Sequence, residues 1–336
     1  MKLVSYKTEN NEHLGLFINS HIYNLHSCDK LIPDNMKEFL LGGAVLMERA
    51  QVVNRAISVG LVSAKREVFF ELQAPVPHPT SCRDAYAFRQ HVETARRNRG
   101  AQMLPEFDQY PVFYFTNHNA IQGAGDIELM PDHFENLDFE LEAAIVIGQA
   151  GRNISAANAD QYIAGYMIMN DLSARILQSQ EMLLNLGPAK GKDFCTVIGP
   201  WLVTPDELEP YKVSAKEGHT GNSYDLKMQC RVNGKEVSSG SLADMDWTFA
   251  EIIERASYGV DLLPGDVIGS GTVGTGCFLE LNGTGLLNDI NYQEQWLQPG
   301  DVVEMEITGL GALVNTMLKS HTDWSILNLR KDLMEL

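Results

Sequence analysis

Three things are scarce in this chain: paired cysteines, long apolar runs and positive charge. The five cysteines, at 28, 82, 195, 230 and 277, are odd in number, scattered and free of any CxxC. That excludes a disulfide framework and a thiolate zinc site, and points to reduced thiols. No apolar run approaches the roughly 20 residues needed to span a bilayer. The longest helical candidate, 36–57, is interrupted by Glu48, Arg49 and Gln51. The first 14 residues hold no apolar core of signal-peptide length, so the expected location is the cytoplasm, with no membrane partner. Lys and Arg number 26 against 44 Asp and Glu, a net charge of −18. Such a chain repels phosphate backbones, and Arg96-Arg97-Asn98-Arg99 is too short to form a nucleic-acid face. No nucleic-acid partner is expected. What the chain does have is carboxylate in excess.

The pattern is α+β and rich in strand. Short strands are expected at 3–6, 15–18 and 21–25, with Asn19-Ser20 as a two-residue hairpin loop. A helical period over 36–57 puts Leu46, Ala50, Val53 and Ile57 on one face. After a strand at 68–72, Pro75, Pro77 and Pro79 favour an extended crossing and a boundary. This gives a small N-terminal domain over 1–72 and a larger one over 73–336. In the second, Asp84 is a suitable N-cap for a helix running through Arg97. Strands are expected at 138–147, 162–169, 196–203, 226–232, 266–270, 277–282 and 302–307, and a helix at 248–256. The repeated L-x-P-G-D-V at 262–267 and 297–302 reads as type II turn chemistry.

Two nucleotide motifs fail on context. Gly269-Ser-Gly271-Thr-Val-Gly274 satisfies GxGxxG, but the following Cys277-to-Leu281 reads as strand and no βαβ unit follows. Gly187 to Asp193 is one residue short of a phosphate loop and lacks its Ser or Thr.

The carboxylates carry more. On a strand, Asp138, Glu140 and Glu142 share one face, and an apolar strand follows directly. Acids at a core-facing strand end repel one another unless a cation lies between them. Asp171 ends the apolar run 166–170, and Arg175 and Gln178 follow as i, i+3 donors. His91, seven residues after Asp84, has the side chain whose ordinary pKa best suits a general base.

Together these segments resemble the fumarylacetoacetate hydrolase family over most of 75–320, and the fumarylacetoacetases more than the short acylpyruvases. The resemblance implies a small N-terminal β-containing domain plus a C-terminal mixed β-sandwich roll, acting as a homodimer. It implies a divalent cation held by Asp84, Glu140, Glu142 and Asp171. Four carboxylates without thiolates select Mg²⁺, Ca²⁺ or Mn²⁺ over zinc. It further implies His91 as base, oriented by Glu280, with Arg175, Gln178 and Lys192 acting on the carbonyl and the leaving carbon. Tyr86, Tyr114 and Thr272 match substrate-contacting positions. The expected substrate is a small 1,3-diketo acid such as fumarylacetoacetate, cleaved by water at a C–C bond, with a place in aromatic amino acid catabolism. The alternative on the same site is a decarboxylase, hydratase or isomerase of a 2-oxo or enol acid. The chain departs from the family pattern at Met182, where a substrate-binding Tyr is expected, and in a loop one residue longer before Lys192. The Arg expected after the base falls on Arg97 or Arg99.

Overall fold

The computed structural model describes residues 1–9 and 11–329; the expected domain end at 336 lies outside them. A twelve-stranded open sheet organises the chain. Its middle runs from Lys2–Thr8 through Thr196–Val203, Ile163–Asp171, Leu141–Ile147 and Val267–Gly269 to Cys82–Ala85 and Phe113–Thr116. The N-terminal strands Asn11–Ile18 and His21–Asn24 extend its other edge, joined by Asn19 and Ser20 at φ 49° and 64°. Both positive φ values match the two-residue hairpin turn expected there. Leu3 pairs with Leu202, so the segments on either side of the proline crossing share one hydrogen-bonded sheet.

A second open sheet of five strands, with Lys227–Val232, Val302–Ile307 and Gly311–Lys319 at its centre, packs against one face of the first. Ile145, Ile147, Ile168 and Val197 meet Met228, Met305 and Leu313 in that interface. Ala144, Val146, Met167 and Met169 point the other way, into a core with Leu3, Leu16, Phe39 and Ala50. Strand Leu141–Ile147 is therefore buried on both faces, which is why its sequence is apolar rather than alternating. The fold is strand-rich α+β with stacked open sheets, as expected. Neither sheet closes into a barrel among the described residues.

Several local expectations hold. Thr248 caps helix Phe249–Ser257 in a capping box with Glu251. Both L-x-P-G-D-V repeats are turns, with Gly265 and Gly300 at φ 90° and 93°. Others need correction. Asp84 lies in strand Cys82–Ala85, and the helix starts only at Arg89. Residues 277–282 are not a strand: Phe278–Asn288 is a helix. The 138–147 strand is interrupted at Phe139-Glu140, and the 36–57 helix is broken at Gly42 into Met36–Leu41 and Gly43–Ser58. The 68–72 strand reduces to Arg66–Glu67 and Glu71–Leu72. No helix among the described residues is long and apolar enough to cross a membrane, and all five cysteines are free.

Candidate active site

Four elements deliver carboxylates to one point. Asp84 comes from strand Cys82–Ala85, Glu142 from strand Leu141–Ile147, Glu140 from the break just before it, and Asp171 from the end of strand Ile163–Asp171. All four are under 7% exposed. Oxygens of Asp84, Glu140 and Glu142 lie within 4.8 Å of one another. Asp171 joins them through Lys192, whose ammonium donates to Asp171 Oδ2 at 2.6 Å and also to Glu140. The Gly271 N–H donates to Asp84 at 3.0 Å, Thr272 Oγ1 to Glu142 at 3.2 Å, and the Tyr114 hydroxyl to Asp171.

The expectation that Asp138 shares this cluster is corrected. Its carboxylate instead binds Arg175 at 2.6 and 2.8 Å and accepts the N–H groups of Phe278 and Leu279 at 2.7 and 2.9 Å. It caps the helix that carries Glu280 and fixes Arg175, which reaches on to Glu140 at 2.9 Å and to Gln178 at 2.9 Å. Lys192 is brought in by the short helix Ala189–Lys192. There Gly191 sits so close to Gln178 that a Cβ would lie 2.5 Å from that side chain.

The electrostatics of the acids split two ways. Burial pushes Asp84 up to about 7, with the Asp171 charge adding to it. Burial, then the neighbouring Asp84 and Glu140, hold Glu142 well above the carboxylate range. Burial also tends to raise Glu140, but the charges of Lys192 and Arg175 outweigh it and bring it down to about 2. One buried oxygen each on Glu142 and Asp171 has no hydrogen-bond partner. Unpartnered anionic oxygens converging from several strands are what a hard cation requires. Asp84, Glu140, Glu142 and Asp171 therefore suit a hard divalent ion, by donor type as well as by unmet need.

Cation binding is accordingly expected to release protons. Below about pH 7 Asp84 is protonated, and burial with the neighbouring acids likewise favours the protonated form of Glu142, so a cation must displace protons. Its affinity should fall by roughly tenfold per pH unit for each proton displaced. Above about 7 the Asp84 contribution disappears. Calorimetric titration with Mg²⁺ at pH 6, 7 and 8 in two buffers of different ionisation enthalpy reads this directly. An affinity flat with pH and a buffer-independent heat would rule it out.

The base side is built by two packed helices. His91, on Arg89–Asn98, meets Glu280 Oε2 through Nδ1 at 2.7 Å, and the other Glu280 oxygen accepts the Thr275 N–H at 3.0 Å. With Nδ1 carrying the proton toward Glu280, Nε2 is left as an acceptor. The His91 ring stands edge-on to Tyr86, centroids 5.9 Å apart. Asn98, at the far end of the same helix, donates to the Glu280 backbone carbonyl at 2.9 Å.

Acids and base open into one cavity of about 570 Å³. Its lining includes Asp84, Tyr86, His91, Tyr114, Glu140, Arg175, Gln178, Lys192 and Thr272. Glu142 and Asp171 lie behind that lining, and Glu280 lies behind His91. Arg96 and Arg99 border the cavity, whereas Arg97 lines a separate groove and donates to Thr284. Three features leave no local signal in the sequence: the Asp138 cap, Asn170 holding the Glu140 N–H, and a mostly apolar wall over 103–113. The GxGxxG segment does precede a helix, contrary to expectation. Even so, no βαβ unit follows, since the chain passes next into the second sheet, and its Gly271 and Thr272 are bonded to the acids.

Buried carboxylates suited to a hard cation thus share one cavity with a carboxylate-oriented histidine, and comparison with known proteins places the chain in an enzyme family. Residues 80–318 match the family described as Fumarylacetoacetate (FAA) hydrolase C-terminal, and the chain belongs to that family. It is 30% identical over 330 residues to human "Oxaloacetate tautomerase FAHD2A, mitochondrial", covering 95% of this chain and 92% of that protein. The crystal structure of fumarylacetoacetate hydrolase from Exiguobacterium antarcticum superposes with a TM-score of 0.69 at 26% identity, covering 95% of this chain and all of that one. Maleylpyruvate hydrolase from Sphingobium sp. SYK-6, solved with manganese(II) and pyruvate, shares the fold with a TM-score of 0.66 at 20% identity, covering 96% and 100% of the two chains. The family thus includes both hydrolases and a tautomerase.

Proposed function

We propose that the protein is a divalent-cation-dependent hydrolase that cleaves a C–C bond in a small 1,3-diketo acid. The observation that carries this reading is the His91–Glu280 pair, set across one cavity from four buried carboxylates. A hard cation, when bound by Asp84, Glu140, Glu142 and Asp171, supplies the positive charge that stabilises an enolate. Mg²⁺, Ca²⁺ and Mn²⁺ all suit this donor set.

In this reading His91 Nε2 takes a proton from water, and Glu280 steadies the resulting imidazolium. The hydroxide oxygen bonds to the distal carbonyl carbon. Arg175, Gln178 and Lys192 donate to the oxyanion that develops there. The bond from that carbon to the methylene between the two carbonyls then breaks. Its electron pair stays on the methylene carbon as an enolate, which takes a proton from Lys192 or from His91. Two acids leave, and the only co-reactant is water. Tyr86, Tyr114 and Thr272 border the space for the substrate.

A second reading, tautomerisation of oxaloacetate, is favoured by the 30% identity to the human enzyme of that name. His91 would then move a proton at the substrate's carbon rather than at water. Product analysis separates the two. Fumarylacetoacetate, acylpyruvates and oxaloacetate are offered to metal-stripped and Mg²⁺-restored protein. The expected result is metal-dependent cleavage of a diketo acid into two acids. Accelerated keto–enol exchange of oxaloacetate without bond cleavage would establish the second reading, and CO₂ release would overturn both.

A further inference from the structure

We infer that the acyl side of the substrate is a medium-length hydrocarbon tail, seated on the outer wall of the cavity. The inference rests on the diketo-acid reading for the head group, and goes beyond it to the part of the molecule that the reaction does not change. Depth divides the cavity by chemistry. Asp84, Glu140, His91, Arg175 and Lys192 are all under 7% exposed and form its floor. The outer wall is mostly apolar: Leu104, Phe107, Tyr110, Val112 and Phe113 arrive on one segment, which also brings Glu106, a charge that would repel a second carboxylate, and Met182 faces in from the helix that carries Arg175 and Gln178. Leu104, Val112 and Met182 are 49, 42 and 46% exposed, so this is hydrocarbon left facing water beside the reaction centre. Exposed apolar side chains scattered singly mean little, but a contiguous set walling a binding cavity calls for an apolar occupant.

Met182 adds a flexible thioether to this wall and offers no hydrogen-bond donor to a polar group on the substrate. A four-carbon diacid would engage the floor and leave this wall wet. Arg96 and Arg99 stand at the edge, each with its Nε donating to a backbone carbonyl, of Gln102 and Ala95, and their remaining N–H groups are the alternative recognition element that the carboxylated analogue below tests.

The test is a homologous series of acylpyruvates, from acetyl through butanoyl and hexanoyl to octanoyl, with an ω-carboxylated analogue of matched length, all in Mg²⁺. Burying one methylene corresponds to about fourfold in kcat/KM. The series is expected to climb at about that rate per CH₂ until the wall is covered. The carboxylated analogue should fall below its methyl-ended partner. Leu104→Asp and Val112→Asp, both at exposed positions, should lower the octanoyl-to-acetyl ratio of kcat/KM by about tenfold. A flat series, or preference for the carboxylated analogue, overturns the inference. If no acylpyruvate is cleaved, calorimetric binding of saturated 2-oxo acids of the same lengths decides the matter. Affinity rising with length keeps the tail site while the hydrolase reading fails, and affinity independent of length overturns the tail site as well.

Discussion

His91→Ala is expected to lower turnover by about 10²–10⁴-fold while leaving Mg²⁺ affinity nearly unchanged. The expectation follows from separation of tasks. His91 is bonded to Glu280 and packed on Tyr86, and no hydrogen bond ties it to any of the four clustered acids. Removing the imidazole takes away the histidine of the cavity lining without altering the oxygens that suit the cation. Glu280→Gln should give a smaller loss together with a displaced pH–rate profile. The glutamine still accepts from His91 but no longer balances its charge. Steady-state kinetics alongside Mg²⁺ calorimetry make the check. Near-normal turnover in His91→Ala would remove the base assignment, and loss of Mg²⁺ binding would mean the histidine is itself a ligand.

Lys192→Met is the second large effect. The ammonium pairs with both Asp171 and Glu140, sharing Glu140 with Arg175. Burial alone would lower its pKa, but the carboxylates of Asp171 and Glu140 hold it raised, so it is cationic across the working range. Its loss removes a donor to the developing oxyanion, with a cost of about 10²–10³ in turnover. It also leaves Glu140 with Arg175 alone and Asp171 with the Tyr114 hydroxyl alone, and deleting one partner of a buried pair costs about 3–5 kcal/mol. A divalent cation can replace part of the missing charge. The rise in Tm on adding Mg²⁺ is therefore expected to be larger for Lys192→Met than for the parent. Equal rises would show that the lysine and the cation do not act on the same acids.

Much of the site was legible because its residues sit at strand ends, where spacing alone conveys shared placement. Glu140, Glu142 and Asp171 sit at or beside the ends of the strands Leu141–Ile147 and Ile163–Asp171, and the apolar runs that adjoin them set these acids against a core. Asp84 is different. Its residue type suits an N-cap, yet pairing of Cys82–Ala85 with both Val267–Gly269 and Phe113–Thr116 overrides that local preference. The segment 277–282 misled for a related reason. Phe-Leu-Glu-Leu alternates like a strand, and the helix there is capped by Asp138, which lies 140 residues earlier in the chain. A cap supplied from so far away leaves no trace at the helix start. The apolar wall has no periodicity to detect: Pro105 and Pro111 interrupt it, and only the folded cavity gathers its side chains.

The helix Phe278–Asn288 is held at its first turn by Asp138, presents Glu280 to His91, and is tied through the Glu280 carbonyl to Asn98. A Cβ at Gly283 would fall 2.6 Å from the Asn98 amide. This seam acts as a pivot, with the proton acceptor on one arm and the guanidinium clamp of Arg175 on the other. Anyone mutating the enzyme at random should meet rate-damaging changes along it, at positions 98, 283 and 284, which never approach the substrate. Such variants would mimic lesions of the reaction centre in a screen. They would be told apart by reversion at the opposite side of the seam, since the fault is one of aim rather than of missing chemistry.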